Sequence, residues 1–287
     1  MKYAIITPVR NEEKNLPKLA ESIINQTILP QIWIIVDDNS SDSSPKTIEE
    51  LTKKYSWIHK TRKPQHEPYG HISFAKTVKT GFDCTLEVCK RKNIELTHIA
   101  KIDADISLPA NYFEVLMEKF KDQNLGIASG VYSVQTDKKK TKNKVFFIQG
   151  HIPDERLYNI NCLEDVGGFP ITYAPDTVML IKAKLKGWKT ESFPEIQIYA
   201  SRDRIMSSGG WQGSKTSGYL RYYLDYHPLM VILLAVSKLI EWRPDLSIAV
   251  FIGYFEGFLG KKSKIDDDEI KNYFRKKRLR EVINSIL

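Results

Sequence analysis

The chain has 287 residues, of which 42% are hydrophobic and 27% are charged. This composition excludes an intrinsically disordered chain and fits one large globular domain, or one domain with an appended segment. The formal net charge of +8 favours anionic partners such as nucleotide phosphates or acidic lipid headgroups, although such a surplus also serves ordinary solubility.

The three cysteines, Cys84, Cys89 and Cys162, predict free thiols. Their odd number and lack of framework spacing argue against a secreted disulfide scaffold, so we expect a reducing, cytoplasmic compartment. The first apolar run is too short for a signal peptide, and no apolar run reaches the ~18 residues of a membrane-spanning helix.

The first half of the chain alternates between apolar strands and amphipathic helices. Residues 3–7 predict a strand, residues 11–26 have helical periodicity, and residues 32–36 predict a second strand. Residues 98–102 and 125–132 read as further strands with a helix between them. This alternation predicts a mostly parallel sheet flanked by helices, with ligands bound beyond the carboxyl ends of the strands.

Two pairs of aspartates follow two of these strands. Asp37 and Asp38 close the strand at 32–36, and Asp103 and Asp105 follow the strand at 98–102. One such pair could simply cap a helix. Two pairs at one sheet edge instead concentrate negative charge, which a hard divalent cation bridging nucleotide phosphates would relieve.

In the second half, a Gly-Gly turn precedes Asp176, which begins a helix that stops at Gly187. Residues 207–223 are rich in glycine and aromatic residues and predict a loop region.

Three segments near the carboxyl terminus leave two interpretations open. Residues 227–242 and 245–260 are apolar, and residues 271–283 predict a basic amphipathic helix. The apolar segments could form a hairpin packed on the protein, or they could make peripheral contact with an anionic membrane.

Four motifs, in order, carry a family resemblance. "IITPVRNEEKNLPKLAESIINQT", "IIVDDNSSDSS", "KIDADISLPANYFE" and "CLEDVGGFP…APDTVMLIKAKLKGWKT" resemble the family 2 glycosyltransferases, whose GT-A fold is a nucleotide-binding α/β domain. The resemblance covers roughly residues 1–200. It implies a GT-A domain over residues 1–205 and a C-terminal helical extension over residues 206–287, similar to that of a bacterial and archaeal branch.

The resemblance also implies roles for individual residues. Asp105 would coordinate Mg²⁺ or Mn²⁺ on the donor diphosphate, and Asp176 would be the catalytic base of an inverting enzyme. The residues implied to bind the nucleotide sugar are Pro8, Asn11, Glu12, Asp38, Lys76 and Asp103. For Lys76, the alternative of an ordinary solvated helix lysine stays open.

The sequence departs from the family pattern in three places. Pro175 stands where an acidic residue often precedes the base. Ala200, Ser201 and Arg202 occupy the region where many relatives place a metal-binding histidine, which leaves the metal to Asp105, phosphates and water. The Gln-X-X-Arg-Trp motif of processive synthases is absent, so we expect transfer of single sugars.

These observations predict an inverting, metal-dependent glycosyltransferase. It would move one sugar from a nucleotide-diphosphate sugar to a glycan or lipid-linked acceptor, in the cytoplasm or peripherally on the inner face of the cell membrane. The alternative is a non-catalytic sugar-nucleotide-binding protein of the same fold.

Nucleic-acid binding is not expected, because no recognised binding motif accompanies the basic charge. A dehydrogenase is not expected either, since no G-x-G-x-x-G follows the first strand. The donor base, UDP or GDP, stays open.

Overall fold

The computed structural model divides the chain into two compact units. Unit 1 comprises Met1–Ile171 and Pro175–Ser201, and unit 2 comprises Thr172–Ala174 and Arg202–Leu287. The residues that the structure describes are 1–64, 70–134, 144–146, 152–200 and 210–286. The domain boundary predicted at residues 205 and 206 falls outside these ranges and stays a prediction.

Unit 1 begins with a parallel half-sheet in the spatial order β3-β2-β1-β4. Its strands are β1 (Tyr3–Val9), β2 (Ile32–Asp37), β3 (Ile58–Arg62) and β4 (His98–Lys101). The helices between them are α1 (Leu16–Ile24), α2 (Ser44–Lys54) and α3 (His71–Lys92). The predicted α/β class with parallel strands flanked by helices is confirmed.

The second half of the sheet mixes strand directions. Strand β8 runs antiparallel between β4 and β6, and the order then continues to β9 and β5, with β7 paired to β6. The strands are β5 (Ile106–Ser107), β6 (Leu125–Val134), β7 (Lys144–Phe146), β8 (Arg156–Asn159) and β9 (Lys189–Ala200). The helices are α4 (Tyr112–Lys119), α5 (Ile160–Asp165) and α6 (Pro175–Leu185).

The apolar runs of the central strands are covered on both faces, as their composition predicts. Every residue of β2 is buried, and Ile6 of β1 packs with Ile34, Val36 and Val78 in one large core cluster. Gly81 allows α3 to approach β1 closely, since a β-carbon at this position would collide with the side chain of Ile6. Close packing of α3 on the sheet fixes its first turn near the carboxyl ends of the strands.

The strand register brings both aspartate pairs to one edge of the sheet. Asp37 at the end of β2 lies opposite Val9, and Lys101 at the end of β4 lies opposite Ile6. Since β2 and β4 flank β1 and all three run parallel, the residues after them emerge at the same edge. This is the arrangement that the sequence predicts.

Unit 2 is helical in its described part. Its helices are α7 (Trp211–Tyr223), α8 (Pro228–Ile240), α9 (Pro244–Leu259), α10 (Asp268–Asn272), a π-helical turn (Tyr273–Lys277) and α11 (Arg278–Ile286). Among the described residues, no helix combines the length and the apolar character needed to cross a membrane.

One expectation for this unit is wrong. The described part of the predicted loop at 207–223 is helix α7, because Gly218 serves close helix packing rather than a turn: a β-carbon there would collide with the Val250 carbonyl oxygen. The predicted basic amphipathic segment at 271–283 is helical throughout, with one π-helical turn, and it buries Tyr273 and Phe274 while its basic residues from Arg275 to Arg280 are exposed.

Candidate functional site

The loops after β1 and β2 are pinned to each other. The Asn11 side-chain oxygen accepts a hydrogen bond from the Ser41 backbone N–H at 2.8 Å, and the Asn11 N–H donates to the Ser40 hydroxyl at 3.1 Å. The Glu12 N–H donates to the Ser44 hydroxyl at 2.8 Å. Asn11 has a left-handed backbone with φ of 57°, which asparagine tolerates better than most residues. The serine-rich turn after β2 therefore orders the Asn-Glu segment after β1.

Asp38 is buried beside two cations. Its side chain is 4% exposed, and its carboxylate lies 3.6 Å from Arg10 Nη1 and 3.4 Å from Lys63 Nζ. Lys63 is itself buried and donates to the Ser73 hydroxyl in the first turn of α3. Two cations hold the carboxylate in place, as the cost of burying a charge requires.

Asp103 is oriented by a buried lysine. Lys101 is 1% exposed, and its ammonium lies 2.8 Å from Asp103 Oδ1. Burial alone would lower the pKa of Lys101, but the surrounding carboxylates, led by Asp103 and Asp176, together outweigh burial and raise it above its ordinary value. Lys101 is therefore a fixed positive charge beneath the Asp-Ala-Asp segment, in which Ala104 is buried and Asp105 is half-buried.

Asp176 lies in the first turn of α6 against the guanidinium of Arg156. Arg156 Nη1 donates to the Asp176 carboxylate at 3.2 Å and to its backbone carbonyl at 3.0 Å. Arg156 is 3% exposed and also donates to the backbone carbonyls of Ile152 and Pro153. These bonds fix the orientation of its guanidinium group. The Asp176 side chain keeps 19% of its surface exposed.

The environment raises the pKa of Asp176 to about 6. Burial is the largest cause, and the neighbouring Asp154 carboxylate adds to it, whereas Lys101 and Arg156 oppose the rise. The result is a carboxylate that is ionised at neutral pH but more basic than an ordinary aspartate. That combination suits a general base, whose ideal pKa lies near the working pH.

Hydrogen bonds to Glu155 hold the turn that carries Asp154 and Arg156 in place. The Glu155 carbonyl accepts hydrogen bonds from the Ser129 hydroxyl at 2.6 Å and from the Tyr112 hydroxyl at 3.2 Å. The buried Glu155 carboxylate accepts from the Tyr132 hydroxyl at 2.6 Å. This network fixes the start of β8, and with it the position of Arg156.

The first turn of α3 connects the two groups of acids. Ser73 contacts Lys63 beside Asp38, and the Phe74 ring lies with its centroid 5.1 Å from Lys101 Nζ, beside Asp103. Lys76 lies half-buried one turn further along α3. Its predicted role near the diphosphate stays a prediction.

The predicted metal ligands form a small, oxygen-only set. Among the described residues, no group of three or more histidine, cysteine or acidic side chains has the arrangement of a metal site. One or two carboxylates that leave most positions to phosphates and water are the usual protein contribution to a Mg²⁺ site. The residues present therefore fit a cation that arrives with a diphosphate. Ala200 is buried at the end of β9, and Ser201 and Arg202 lie outside the described residues.

The structure brings some predicted residues together and adds others. Asp103 and Asp176 share one electrostatic group with Lys101, and Asn11 and Glu12 lie in the loop pinned beside the β2 turn, next to half-buried Pro8. Sequence reasoning missed the cations beside these acids, namely the buried Lys63, Lys101 and Arg156 and the partly exposed Arg10. A signal for Arg156 existed, because "DER" places three charges directly before a short apolar strand.

Comparisons with known proteins identify a family and a similar fold. The family model described as glycosyl transferase family 2 matches residues 4–172. The fold is similar to that of a mannosyltransferase from Pyrobaculum calidifontis in complex with GDP-Man and Mn²⁺, with a TM-score of 0.59, 14% identity and coverage of 92% of this chain and 76% of that one.

The fold is also similar to residues 1–349 of S. aureus TarS in complex with UDP-GlcNAc. That comparison gives a TM-score of 0.53 and 16% identity, and it covers 70% of this chain and 59% of that one. A comparison with curated protein sequences gives no significant match. At these identities the two structures support the fold.

Proposed function

The chain belongs to glycosyl transferase family 2, and from this premise we propose that it is an inverting, metal-dependent enzyme that transfers a single sugar. The donor is a nucleotide-diphosphate sugar, and the acceptor is a hydroxyl of a glycan or a lipid-linked molecule. The observation that carries the proposal is the Asp176 carboxylate, held by Arg156 at the start of α6 with its pKa raised to about 6.

The proposed chemistry follows from that carboxylate. Asp176 accepts the proton of the acceptor hydroxyl as the hydroxyl oxygen attacks the anomeric carbon of the sugar. A carbon–oxygen bond to the acceptor forms on one face, while the bond to the diphosphate breaks on the other, so the configuration inverts. Arg156 keeps Asp176 oriented, and Lys101 keeps Asp103 oriented beside it.

The donor side of the proposal rests on the two pinned loops and the aspartate edge. Asp38, with Pro8, Asn11 and Glu12, would line the base and ribose, and the family resemblance supports these roles. Asp105, with Asp103 nearby, would hold a Mg²⁺ or Mn²⁺ ion on the diphosphate. When bound, such an ion would supply positive charge that stabilises the leaving diphosphate. Two similar folds hold UDP-GlcNAc in one case and GDP-Man with Mn²⁺ in the other, which supports a nucleotide-sugar donor.

We also propose a cytoplasmic location with peripheral contact at the inner face of the cell membrane. The three cysteines are free, as a reducing compartment favours. Five exposed basic residues of unit 2 offer positive charge to anionic lipids. They are Arg275, Lys276, Lys277, Arg278 and Arg280.

Donor binding and donor hydrolysis, measured with and without Mn²⁺, test the proposal. We expect UDP- or GDP-sugars to raise the melting temperature only with metal, since ligand binding to the folded state stabilises it. Asp105→Ala should remove most of this metal dependence. Asp83→Ala is a matched control, because Asp83 is an exposed aspartate on α3 paired with Lys79.

Equal donor binding in EDTA and in Mn²⁺ would contradict the metal role. Metal-dependent binding without hydrolysis or transfer to any glycan acceptor would instead identify the non-catalytic alternative.

A further inference from the structure

The hairpin formed by α8 and α9 carries an apolar outer surface. It contributes twelve of the twenty large hydrophobic side chains that are exposed in the described part of the chain. They are Leu229, Ile232, Leu233, Val236, Leu239, Ile240, Trp242, Ile248, Ile252, Phe255, Phe258 and Leu259. Soluble proteins scatter such residues singly, whereas a contiguous set of this kind indicates an interaction surface.

Helix α9 buries mainly small side chains and exposes several bulky ones. Four of its six buried positions, Ser247, Ala249, Gly253 and Gly257, are small, and the other two are Leu246 and Val250. The bulky side chains of this helix, such as those of Phe255 and Phe258, face outward. In water the larger side chains gain most from burial, so this arrangement forgoes hydrophobic stabilisation. In lipid the driving force is different, and helices there pack through small residues.

The packing of α7 against α9 also has the form found between helices in lipid. A β-carbon at Gly253 would collide with the Lys215 carbonyl oxygen, and one at Gly218 would collide with the Val250 carbonyl oxygen. Gly257 lies against the Tyr222 ring. The two backbones therefore touch at Gly218 and Gly253, and Gly257, four residues after Gly253, completes a small-xxx-small spacing on α9.

The hairpin is too short to cross a bilayer. With 13 and 16 residues, α8 and α9 are about 20 and 24 Å long at 1.5 Å per residue, below the ~30 Å of the hydrocarbon core. Helices of this kind lie in the plane of the interface, with the apolar face among the acyl chains and the charges among the headgroups.

Charged and aromatic residues occupy the two ends of the hairpin. At the turn, Lys238 pairs with Glu241, and Trp242 is 91% exposed. At the other end, Lys261 and Lys262 follow α9 and are exposed. Tryptophan favours the headgroup level, and lysines can extend from an apolar surface to anionic lipid. The charges thus flank the apolar surface at both of its ends.

We propose that the α8–α9 hairpin is the membrane-docking surface, lying flat in the headgroup layer of an anionic bilayer with its apolar outer side chains in contact with lipid. This assignment rests on the peripheral membrane location proposed above, and it names the surface responsible. The occupant is lipid, rather than a second copy of the chain, because α9 packs inward through glycines while its outward bulky side chains lie between the exposed Trp242 at one end and the exposed Lys261 and Lys262 at the other.

Vesicle sedimentation tests the assignment with vesicles of phosphatidylglycerol mixed with phosphatidylcholine. The variant is the triple substitution Ile240→Ser, Trp242→Ser and Leu259→Ser, which changes side chains that are 75%, 91% and 74% exposed. We expect vesicle affinity to fall at least about tenfold, because membrane binding scales with buried apolar area. The matched control is Leu29→Ser, Leu86→Ser and Ile171→Ser in unit 1, with exposures of 46%, 55% and 49%, and it should bind as the natural chain does.

A second measurement does not depend on the triple variant. Brominated lipids should quench the fluorescence of the natural chain, and Trp242→Phe should lose most of that quenching, because the other four tryptophans lie outside the hairpin. Unchanged vesicle binding by the triple variant overturns the proposal. So does a natural chain that ignores vesicles but forms a dimer that the triple variant loses.

Donor binding with Mn²⁺ is measured in the same variants. Failure of donor binding with intact vesicle docking would overturn the proposed function alone.

Discussion

At the scale of single residues, the candidate site is built from acids whose charges are set by buried cations. Lys101 and Arg156 lie beneath Asp103 and Asp176, and Lys63 lies beneath Asp38. Each cation is more than nine-tenths buried, so without its partner acid it would be an uncompensated buried charge. The positions of the acids are therefore determined by residues that make no contact with substrate in the proposed reaction.

Asp176→Asn separates a catalytic base from a helix-start residue. Asparagine can still cap a helix but cannot accept the proton, so turnover should fall by about 10²-fold or more while donor affinity stays nearly unchanged. Steady-state kinetics with the acceptor, together with donor titration, measure both quantities. Near-normal turnover in this variant would show that Asp176 only begins the helix.

The same variant has an expected pH signature in stability. Because the folded-state pKa of Asp176 is raised to about 6, its favourable contribution is present below about pH 4 and is lost as pH rises through about 6. As the pH rises from 4 to 7, the free energy of unfolding of Asp176→Asn should therefore increase relative to that of the natural chain. Denaturant unfolding across that range measures the difference.

Arg156 has a separable effect on the pH dependence of the rate. The rate of the natural chain should rise with pH and level off above about 6, as Asp176 ionises. Arg156 lowers the pKa of Asp176, so Arg156→Gln should shift this rise to higher pH, whereas Arg156→Lys, which keeps the charge, should shift it less. If the pH dependence of the rate is unshifted in Arg156→Gln, Arg156 does not set the pKa of Asp176 and serves only in packing.

At the scale of elements, close helix packing depends on single glycines. Gly253→Ala would force α9 away from the Lys215 carbonyl, and we expect a loss of about 1–3 kcal/mol in the free energy of unfolding, typical of overpacking. Thermal unfolding of the full chain followed by circular dichroism measures the loss. The control is Ile248→Ala on the same helix, at a side chain that is 55% exposed, and its stability should change by less than about 0.5 kcal/mol.

The elements also show what sequence reasoning can and cannot reach. Strands β1 and β2 contain continuous apolar runs, and the edge that collects Asp38 and Asp103 follows from parallel strands alone. Strand β5 has two residues and β8 has four, too few for any period to register, and their positions depend on partners distant in the chain. Arg156 was missed for the same reason, because its partner Asp176 is 20 residues away and only the fold joins them. The sequence predicts a loop where α7 lies, because glycine is common both in turns and at close helix contacts.

At the scale of the whole molecule, the net charge of +8 is unevenly placed. Lys276, Lys277 and Arg280 are exposed and make no ion pair with any residue in the described part of the chain. Replacing these three with glutamine should weaken binding to phosphatidylglycerol-containing vesicles, leave binding to neutral vesicles unchanged and reduce the effect of salt. Sedimentation at two salt concentrations measures this, and equal losses on both vesicle types would contradict an electrostatic role.

The outward-facing bulky side chains of the α8–α9 hairpin also affect calorimetry. The heat capacity of unfolding comes mainly from apolar surface that water newly reaches, and the denaturant m-value follows the same surface. Side chains such as Ile240, Trp242 and Leu259 are already in water in the folded chain, so their unfolding adds little to either quantity. Per residue, unit 2 should therefore have a smaller heat capacity of unfolding than unit 1, and its free energy of unfolding should vary less with temperature. Its stability should change more with a bilayer-mimicking detergent than with urea.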